Sequence, residues 1–343
     1  MEIKTIHPPR GWTAITAIDA HTAGEPLRVI LDGLPELRGD TVLEKRRYMR
    51  EHYDHLRRAL MWEPRGHADM YGAILTPPVT PDGDIGVLFT HNEGYSTMCG
   101  HGVIALATVL LDMGLMAVEG DAPVINMDTP AGRVKATAHR VHGRVESVSF
   151  QNVPSFLYAQ DETVYIPGLG QIRYDIAYGG AFYAFVHAQD LNVGLGPDDF
   201  RHLIDVGMAV KRTVMDAREI RHPFEEDLGF LYGTIIIGPP RDGANHSRNV
   251  CVFADGELDR SPTGTGVSAR AAIHHAKGEL SIGEAISIES ILGTCFTTRA
   301  IAKTAYGPYS AIIPEVTGSA SIIGRNELWI DPSDPLKYGF MLR

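Results

Sequence analysis

The sequence predicts an α+β protein made of two similar halves, each with short strands and one buried helix. Two observations predict this class. First, β-branched and apolar runs of strand length alternate with longer helical patterns along all 343 residues. Second, the segment CGHGVIALA at 99–107 resembles TGTGVSARA at 263–271, with five of nine positions identical. A repeat of this kind indicates two halves of similar fold.

The first half begins with strand-like runs at 13–18 and 27–31, which are separated by the loop sequence HTAGEP. Apolar residues at helical spacing, without Gly or Pro, then predict one long helix over 41–62. We expect Pro64 and Gly66 to end this helix.

A second helix of the first half is predicted to be buried. A strand over 85–90 precedes a polar loop, and a nearly continuous apolar run then extends from 99 to Gly114. A helix that is apolar on all sides has no face to offer to solvent. Strand-like runs fill 123–152 and complete the first half.

The second half repeats this order of strands, polar loop and glycine-rich helix. Its strands and helices are predicted at 172–187, 199–214, 231–237, 249–254, 263–278, 284–302 and 310–316. Because no linker composition marks a boundary, we place it near 155. The halves are then 1–155 and 156–310, and we expect residues 311–343 to pack back on the first half.

Charge and composition exclude several classes of function. A net charge of -11 makes nucleic-acid binding unfavourable, and a negatively charged substrate needs a local positive site. No apolar run reaches the ~18 residues of a membrane helix, and the N-terminus shows no signal-peptide pattern. Three sparse cysteines indicate a reducing compartment. We therefore expect a cytoplasmic protein with a small-molecule substrate.

The two glycine-rich helix starts predict a site for an anion. The first N–H groups of a helix have no partner within it, and the helix dipole adds about half a positive charge there. Gly100, Gly102, Gly264 and Gly266 leave the backbone open to close approach by a ligand. Two such helix starts facing one cleft would bind a carboxylate.

Cys99 is the candidate thiolate of this site. It lies at the start of the first glycine-rich helix, where the positive end of the helix dipole is expected to lower the thiol pKa. Cys251 and Cys295 lie in apolar strand-like runs and are expected to pack in the core.

Five motifs along nearly the whole chain resemble the proline racemase superfamily. They are DAHTAGEP (19–26), EPRGHADMYGAIL (63–75), HNEGYSTMCGHG (91–102), FQNVPSF (150–156) and DRSPTGTG (259–266). The resemblance implies the proline racemase and diaminopimelate epimerase-like fold, in which each half is a curved sheet or barrel around a central helix. It also implies an active site between the halves that uses no cofactor.

One departure from the family pattern predicts the reaction. Racemases and epimerases of this family carry a Cys at both helix starts, whereas this sequence has Cys99 and Thr263. A Thr hydroxyl is too weak an acid and base for two-base racemisation. The Cys/Thr pair resembles the family's dehydratases, which act on trans-3-hydroxy-L-proline. The nearest alternative is a proline racemase or hydroxyproline 2-epimerase that works with one Cys.

Further roles are expected around this pair. The backbone N–H groups at Gly100–His101 and Gly264–Thr265 would bind the substrate carboxylate as negative charge builds. The resemblance implies that Asp259 would bind the ring nitrogen. Asp259 could instead cap the following turn, and His101 could tune the thiolate, close the pocket or pack in the core. Either Cys99 or Thr263 could protonate the departing hydroxide.

Other functions remain open on the sequence alone. His91 near the Cys99–His101 pair does not complete a convincing set of ligands, so no metal is expected. A cysteine hydrolase would need a Cys–His pair oriented by a third group. A non-catalytic amino-acid binding protein would show ligand stabilisation without turnover. The sequence is compatible with a homodimer.

Overall fold

The computed structural model describes residues 6–342, so part of the N-terminal prediction, residues 1–5, lies outside the described residues. The strands are β1 (Thr13–Thr22), β2 (Glu25–Asp32), β3 (Tyr71–Thr76), β4 (Ile85–His91), β5 (Val124–Thr129), β6 (Gly132–Val141), β7 (Arg144–Gln151), β8 (Ser155–Ile166), β9 (Gly170–Tyr178), β10 (Phe182–His187), β11 (Leu231–Gly238), β12 (Ser247–Phe253), β13 (Glu257–Leu258), β14 (Ala285–Glu289), β15 (Cys295–Tyr306), β16 (Tyr309–Gly318) and β17 (Ala320–Ile330). The helices are α1 (Val42–His52), α2 (Asp54–Met61), α3 (Gly100–Asp112), α4 (Ala188–Leu191), α5 (Phe200–Ala217) and α6 (Gly264–Ala276), with short 3₁₀ turns at Pro197–Asp199 and Glu226–Leu228.

The strand pairings repeat between the two halves. From β1 to β7, successive partners are β1–β2 antiparallel, β2–β3 parallel, β3–β4 antiparallel, β4–β5 parallel, and β5–β6 and β6–β7 antiparallel. The series β9, β10, β11, β12, β14, β15 and β16 has the same six pairings in the same order. The internal repeat of the sequence therefore extends to the topology of each half.

Two strands close the halves from distant parts of the chain. The C-terminal strand β17 pairs antiparallel with β1, as β8 pairs with its counterpart β9. Strand β16 also pairs with β7 and β8, so the sheet runs continuously from one half to the other. The domain limits at 155 and 310 remain predictions.

The central helices α3 and α6 are thirteen residues long and occupy equivalent positions in the two halves. Helix α3 packs against β1, β6, β7 and β17, and α6 packs against the corresponding strands β9, β15, β16 and β8. Residues 100–111 of α3 and 264–273 of α6 are buried. Burial of such apolar helices inside the curved sheet supplies much of the hydrophobic core.

The predicted single helix over 41–62 is wrong, because the structure divides it into α1 and α2 at Tyr53. Tyr53 leaves helical geometry at φ −131° and ψ 15°. The Asp54 carboxylate at the new helix start then accepts hydrogen bonds from Arg57 at 2.6 and 3.0 Å. Tertiary contacts of α2 favour this break, since the buried Arg57 also donates to the carbonyls of His91 and Asn92.

Strands β3, β8, β13 and β17 were not anticipated from the sequence. Strand β13 has two residues within the predicted loop, and β17 alternates between exposed and half-buried positions. Among residues 6–342, none of the helices combines the length and apolar character required to cross a bilayer.

Candidate active site

The N-termini of α3 and α6 meet tip to tip at the junction of the two halves. A Cβ atom added to Gly100 would lie 2.6 Å from the Cα of Gly264, and one added to Gly264 would lie 2.7 Å from the Cα of Gly100. No side chain fits at either position without moving a backbone. The helix starts face each other because both positions are glycine.

A small cavity lies at this junction, with a volume of about 20 Å³. All seven residues predicted for the site line it, namely Cys99, Gly100, His101, Asp259, Thr263, Gly264 and Thr265. The cavity has room for about one water molecule. An amino acid with a five-membered ring is larger than one water molecule, so the walls of the cavity must move apart before it can enter.

Cys99 caps the N-terminus of α3. Its Sγ accepts the Gly102 N–H at 3.2 Å and lies 3.2 Å from Nδ1 of His101. Burial raises the pKa of the Cys99 thiol well above its usual value, although hydrogen bonds from Gly102 and the Tyr71 hydroxyl lower it. The expected lowering by the helix N-terminus is therefore wrong for this closed site, because desolvation outweighs it.

His101 is a buried, neutral partner for this thiol. Burial lowers the pKa of His101, although its hydrogen bond to the carbonyl of Pro26 partly counteracts this effect. The Thr22 hydroxyl donates to the main-chain carbonyl of His101 at 2.8 Å and fixes the helix start. Cys99 and His101 thus form a contact through which a proton can pass from sulfur to nitrogen.

Thr263 begins α6 in a backbone conformation that is rare for a β-branched residue, with φ at 67°. Its hydroxyl donates to Oδ2 of Asp259 at 2.7 Å, and its N–H donates to Oγ of Ser261 at 3.1 Å. Asp259 Oδ1 accepts the Ser261 N–H at 2.7 Å, so this carboxylate also caps the turn. Backbone strain of this kind concentrates at functional sites.

A model of the proline racemase family matches residues 17–341 of this chain. The chain belongs to the proline racemase family. The trans-3-hydroxy-L-proline dehydratase of Colwellia psychrerythraea is 50% identical over 332 residues, covering 97% of this chain and 94% of that protein. The human protein of the same name is 46% identical over 344 residues, covering 98% of this chain and 97% of that protein.

A solved structure confirms the predicted fold class. The hydroxyproline epimerase from Agrobacterium vitis, solved with bound trans-4-OH-L-proline, superimposes on this chain with a TM-score of 0.91. The two chains are 30% identical, and the match covers 96% of each.

Charged residues outside the cavity lining lie near Asp259. Glu25 is fully buried, and its Oε2 accepts the Arg260 N–H at 2.7 Å. The guanidinium of Arg260 lies 2.8 Å from Asp69. Burial, and then the nearby Asp259 carboxylate, raise the pKa of Glu25 well above its usual value. Burial therefore favours the protonated, neutral form of Glu25.

The HTAGEP loop stabilises its own turn through His21. Nδ1 of His21 accepts the Gly24 N–H at 3.3 Å.

His274 is bound to Glu279 at 2.6 Å near the end of α6. Within residues 6–342, no three His, Cys, Asp or Glu side chains are grouped to hold a metal ion.

Sequence reasoning missed the aromatic wall of the cavity. Tyr71, Tyr183, Tyr232 and Phe253 line it, and each comes from a strand with the apolar composition of an ordinary core strand. The Tyr183 hydroxyl lies 2.7 Å from Oγ1 of Thr265. The hydroxyls of the three tyrosines add hydrogen-bonding groups, which the strand pattern does not distinguish from core packing.

The other two cysteines occupy different environments. Cys251 is fully buried as predicted, but it also lines the cavity. The predicted core position of Cys295 is wrong, because its side chain is exposed. Cys295 begins β15, where buried and exposed positions alternate, and it lies on the exposed set.

Replacing Gly264 with Ala tests the contact between the helix tips. The new Cβ would overlap the backbone of Gly100, so we expect the free energy of unfolding to fall by about 1–3 kcal/mol. Catalytic turnover should fall as well, because the tips must separate. Denaturant unfolding and turnover measure both effects. The control is Gly243→Ala, since a Cβ there meets nothing within 4 Å. Equal behaviour of the two variants would contradict the contact.

Replacing Glu25 with Gln tests the buried neutral acid. A raised pKa means that the folded protein holds a proton that the unfolded chain releases above about pH 4.5. The wild type therefore loses stability as pH rises from 5 to 8, by at most about 1.4 kcal/mol per pH unit from this group. Glu25→Gln lacks this loss, so its stability relative to wild type should increase over that range.

Urea unfolding at pH 5 and pH 8 measures the difference. A constant difference between the two proteins would show that Glu25 ionises normally.

Proposed function

We propose that this protein is a trans-3-hydroxy-L-proline dehydratase, which removes water to give Δ1-pyrroline-2-carboxylate. The observation that carries the proposal is the pairing of one thiol, Cys99, with one alcohol, Thr263, at two helix N-termini that line one cavity. Relatives of nearly full length at 46% and 50% identity carry this name. One thiol base suffices for dehydration, whereas inversion needs an acid on each face.

The helix tips supply the site for the substrate carboxylate. The N–H groups at Gly100–His101 and Gly264–Thr265 lie at the positive ends of two dipoles, which counter the net charge of -11. The same N–H groups stabilise the negative charge that builds on the carboxylate as the α-proton leaves. A preorganised donor of this type is worth about 3 kcal/mol in the transition state.

Asp259 binds the ring nitrogen of the substrate. Its carboxylate lines the cavity and already accepts hydrogen bonds from Ser261 and Thr263. Two bound donors leave acceptor capacity for the substrate ammonium. The strained backbone of Thr263 and the Thr263–Asp259 hydrogen bond together fix the direction of this carboxylate.

Cys99 removes the α-proton after His101 accepts the thiol proton. In the trans isomer, the 3-hydroxyl and the α-hydrogen lie on the ring face opposite the carboxylate. A single base on that face therefore takes the proton beside the departing hydroxide. The product forms as an enamine and becomes Δ1-pyrroline-2-carboxylate by tautomerisation, without a cofactor.

The structural likeness to the Agrobacterium vitis epimerase favours one alternative, hydroxyproline 2-epimerase or proline racemase activity. Incubation with L-proline or trans-4-hydroxy-L-proline in deuterated water separates the two functions. A dehydratase with Thr263 returns deuterium to the original face without inversion. Prompt inversion would contradict the dehydratase assignment.

A small-molecule amino-acid substrate fits this family, and we do not expect a nucleic-acid or membrane partner. A homodimer and a cytoplasmic location remain predictions from the sequence.

The wild type should release Δ1-pyrroline-2-carboxylate from trans-3-hydroxy-L-proline, and Cys99→Ser should lose this activity by at least ~10²-fold because a hydroxyl is a poor base. An imine reductase that consumes NADPH measures the product. Cys295→Ser is the matched control, since Cys295 is exposed outside the cavity. Unchanged turnover in Cys99→Ser would exclude Cys99 as the base.

Replacing Thr263 with Cys should create a second acid on the opposite ring face. We expect α-proton exchange with inversion of L-proline, measured by chiral chromatography in deuterated water. Thr213→Cys on α5 is the control, because Thr213 binds the carbonyl of Ala209 within its own helix. No exchange or inversion in Thr263→Cys would place residue 263 outside the second catalytic position.

A further inference from the structure

The proposed dehydration leaves one proton unassigned, and this inference rests on that proposed function. Hydroxide is a poor leaving group. It departs readily as water when its oxygen is protonated while the C–O bond breaks. This oxygen lies on the Cys99 face of the ring. Thr263 approaches from the other helix, and its hydroxyl is bound to Asp259 at 2.7 Å.

Tyr71 places a hydroxyl on the Cys99 side of the cavity. Its ring lies edge to face against His101, with centroids 4.7 Å apart, and His101 Nδ1 lies 3.2 Å from the sulfur of Cys99. Tyr71 and Cys99 line the same cavity. Tyr71 is 3% exposed, so bulk water does not compete for its hydroxyl.

The hydroxyl of Tyr71 belongs to a chain of hydrogen bonds that crosses the site. It donates to Oγ of Ser96 at 2.6 Å and lies 3.3 Å from the hydroxyl of Tyr232. A phenol has one proton and two acceptor positions, and its O–H can rotate between neighbours. Tyr71 can therefore turn its proton from Ser96 to a substrate oxygen while Tyr232 continues to support it.

We propose that Tyr71 is the general acid of the dehydration and donates its proton to the departing 3-hydroxyl. The Cys99 thiolate takes the α-proton and becomes a thiol. The C3–O bond breaks as the Tyr71 O–H proton moves to the oxygen, which gives water, the enamine and a Tyr71 phenolate. The Cys99 thiol then returns a proton to Tyr71, which restores the phenol and the thiolate. The proton held by His101 goes back to the sulfur of Cys99 when the product leaves, so no outside proton is needed.

The other hydroxyls of the cavity are less well placed for this step. Tyr183 is engaged with Thr265 on the opposite helix at 2.7 Å, and Tyr232 joins the hydrogen-bond chain through its 3.3 Å contact with Tyr71. Burial raises the pKa of Tyr71 well above its usual value, so the phenol keeps its proton at neutral pH. Tyr71 and Cys99 line the same cavity, so the proton can return from the sulfur to the phenolate.

A change of leaving group isolates the proposed role. Fluoride departs without protonation, so trans-3-fluoro-L-proline needs the Cys99 base but no general acid. Tyr71→Phe should lose dehydration of trans-3-hydroxy-L-proline by about 10²-fold or more, the size of a general-acid contribution. Its release of fluoride from trans-3-fluoro-L-proline should stay within a few-fold of wild type. A fluoride electrode and the imine reductase measure the two reactions.

Two variants define the controls. Tyr178→Phe also removes a buried tyrosine hydroxyl, one that has no hydrogen-bond partner among residues 6–342, and it should change neither reaction. Tyr232→Phe removes the support for Tyr71 and should slow dehydration less than Tyr71→Phe does. A selective loss in Tyr232→Phe without one in Tyr71→Phe would assign the acid to Tyr232 and overturn the proposal.

The remaining outcomes are equally decisive. Equal loss of both reactions in Tyr71→Phe would show that Tyr71 supports the fold or the thiolate, which also overturns the proposal. As a second measurement, the rate effect of α-deuteration should fall toward unity in Tyr71→Phe, because C–O cleavage becomes slow. An unchanged isotope effect would contradict this role. Absence of wild-type dehydration would instead refute the proposed function.

Discussion

The contact between Gly100 and Gly264 is the constraint on which the rest of the site depends. Each glycine would place a side-chain carbon within 2.7 Å of the other's Cα, so the two helices can meet only through bare backbone. Their approach brings two positive helix ends to one point and sets Cys99 and Thr263 around one cavity. The repeated sheet topology packs corresponding strands around each helix.

Burial is the second determinant of the chemistry. It raises the pKa of the Cys99 thiol and of Glu25, and it lowers that of His101, so burial favours the neutral form of each group. Ionisation of the thiol must therefore accompany substrate binding. The substrate brings an ammonium and a carboxylate into a dry site, where nearby charges act strongly. This coupling would protect the thiolate from side reactions between turnovers.

Much of the fold and site could be predicted from the sequence because the signals were local. The repeat at 99–107 and 263–271 indicated two equivalent helix starts, and the structure brings them together. The errors came from tertiary effects. The break at Tyr53 depends on contacts of α2, and the exposure of Cys295 depends on strand register. The position of Tyr71 in the site was missed because the sequence of its strand resembles that of a core strand. Its hydroxyl contact with Tyr232 comes from the other half of the chain and is not visible in the local pattern.

The most direct measurement is a crystal structure of the Cys99→Ser variant with trans-3-hydroxy-L-proline bound. We expect the substrate carboxylate to lie between the two helix N-termini, and residue 99 to lie on the ring face that carries the α-hydrogen and the 3-hydroxyl. Thr263 should then lie on the opposite face. A substrate bound with that face toward Thr263, or a carboxylate away from both helix tips, would contradict this expectation.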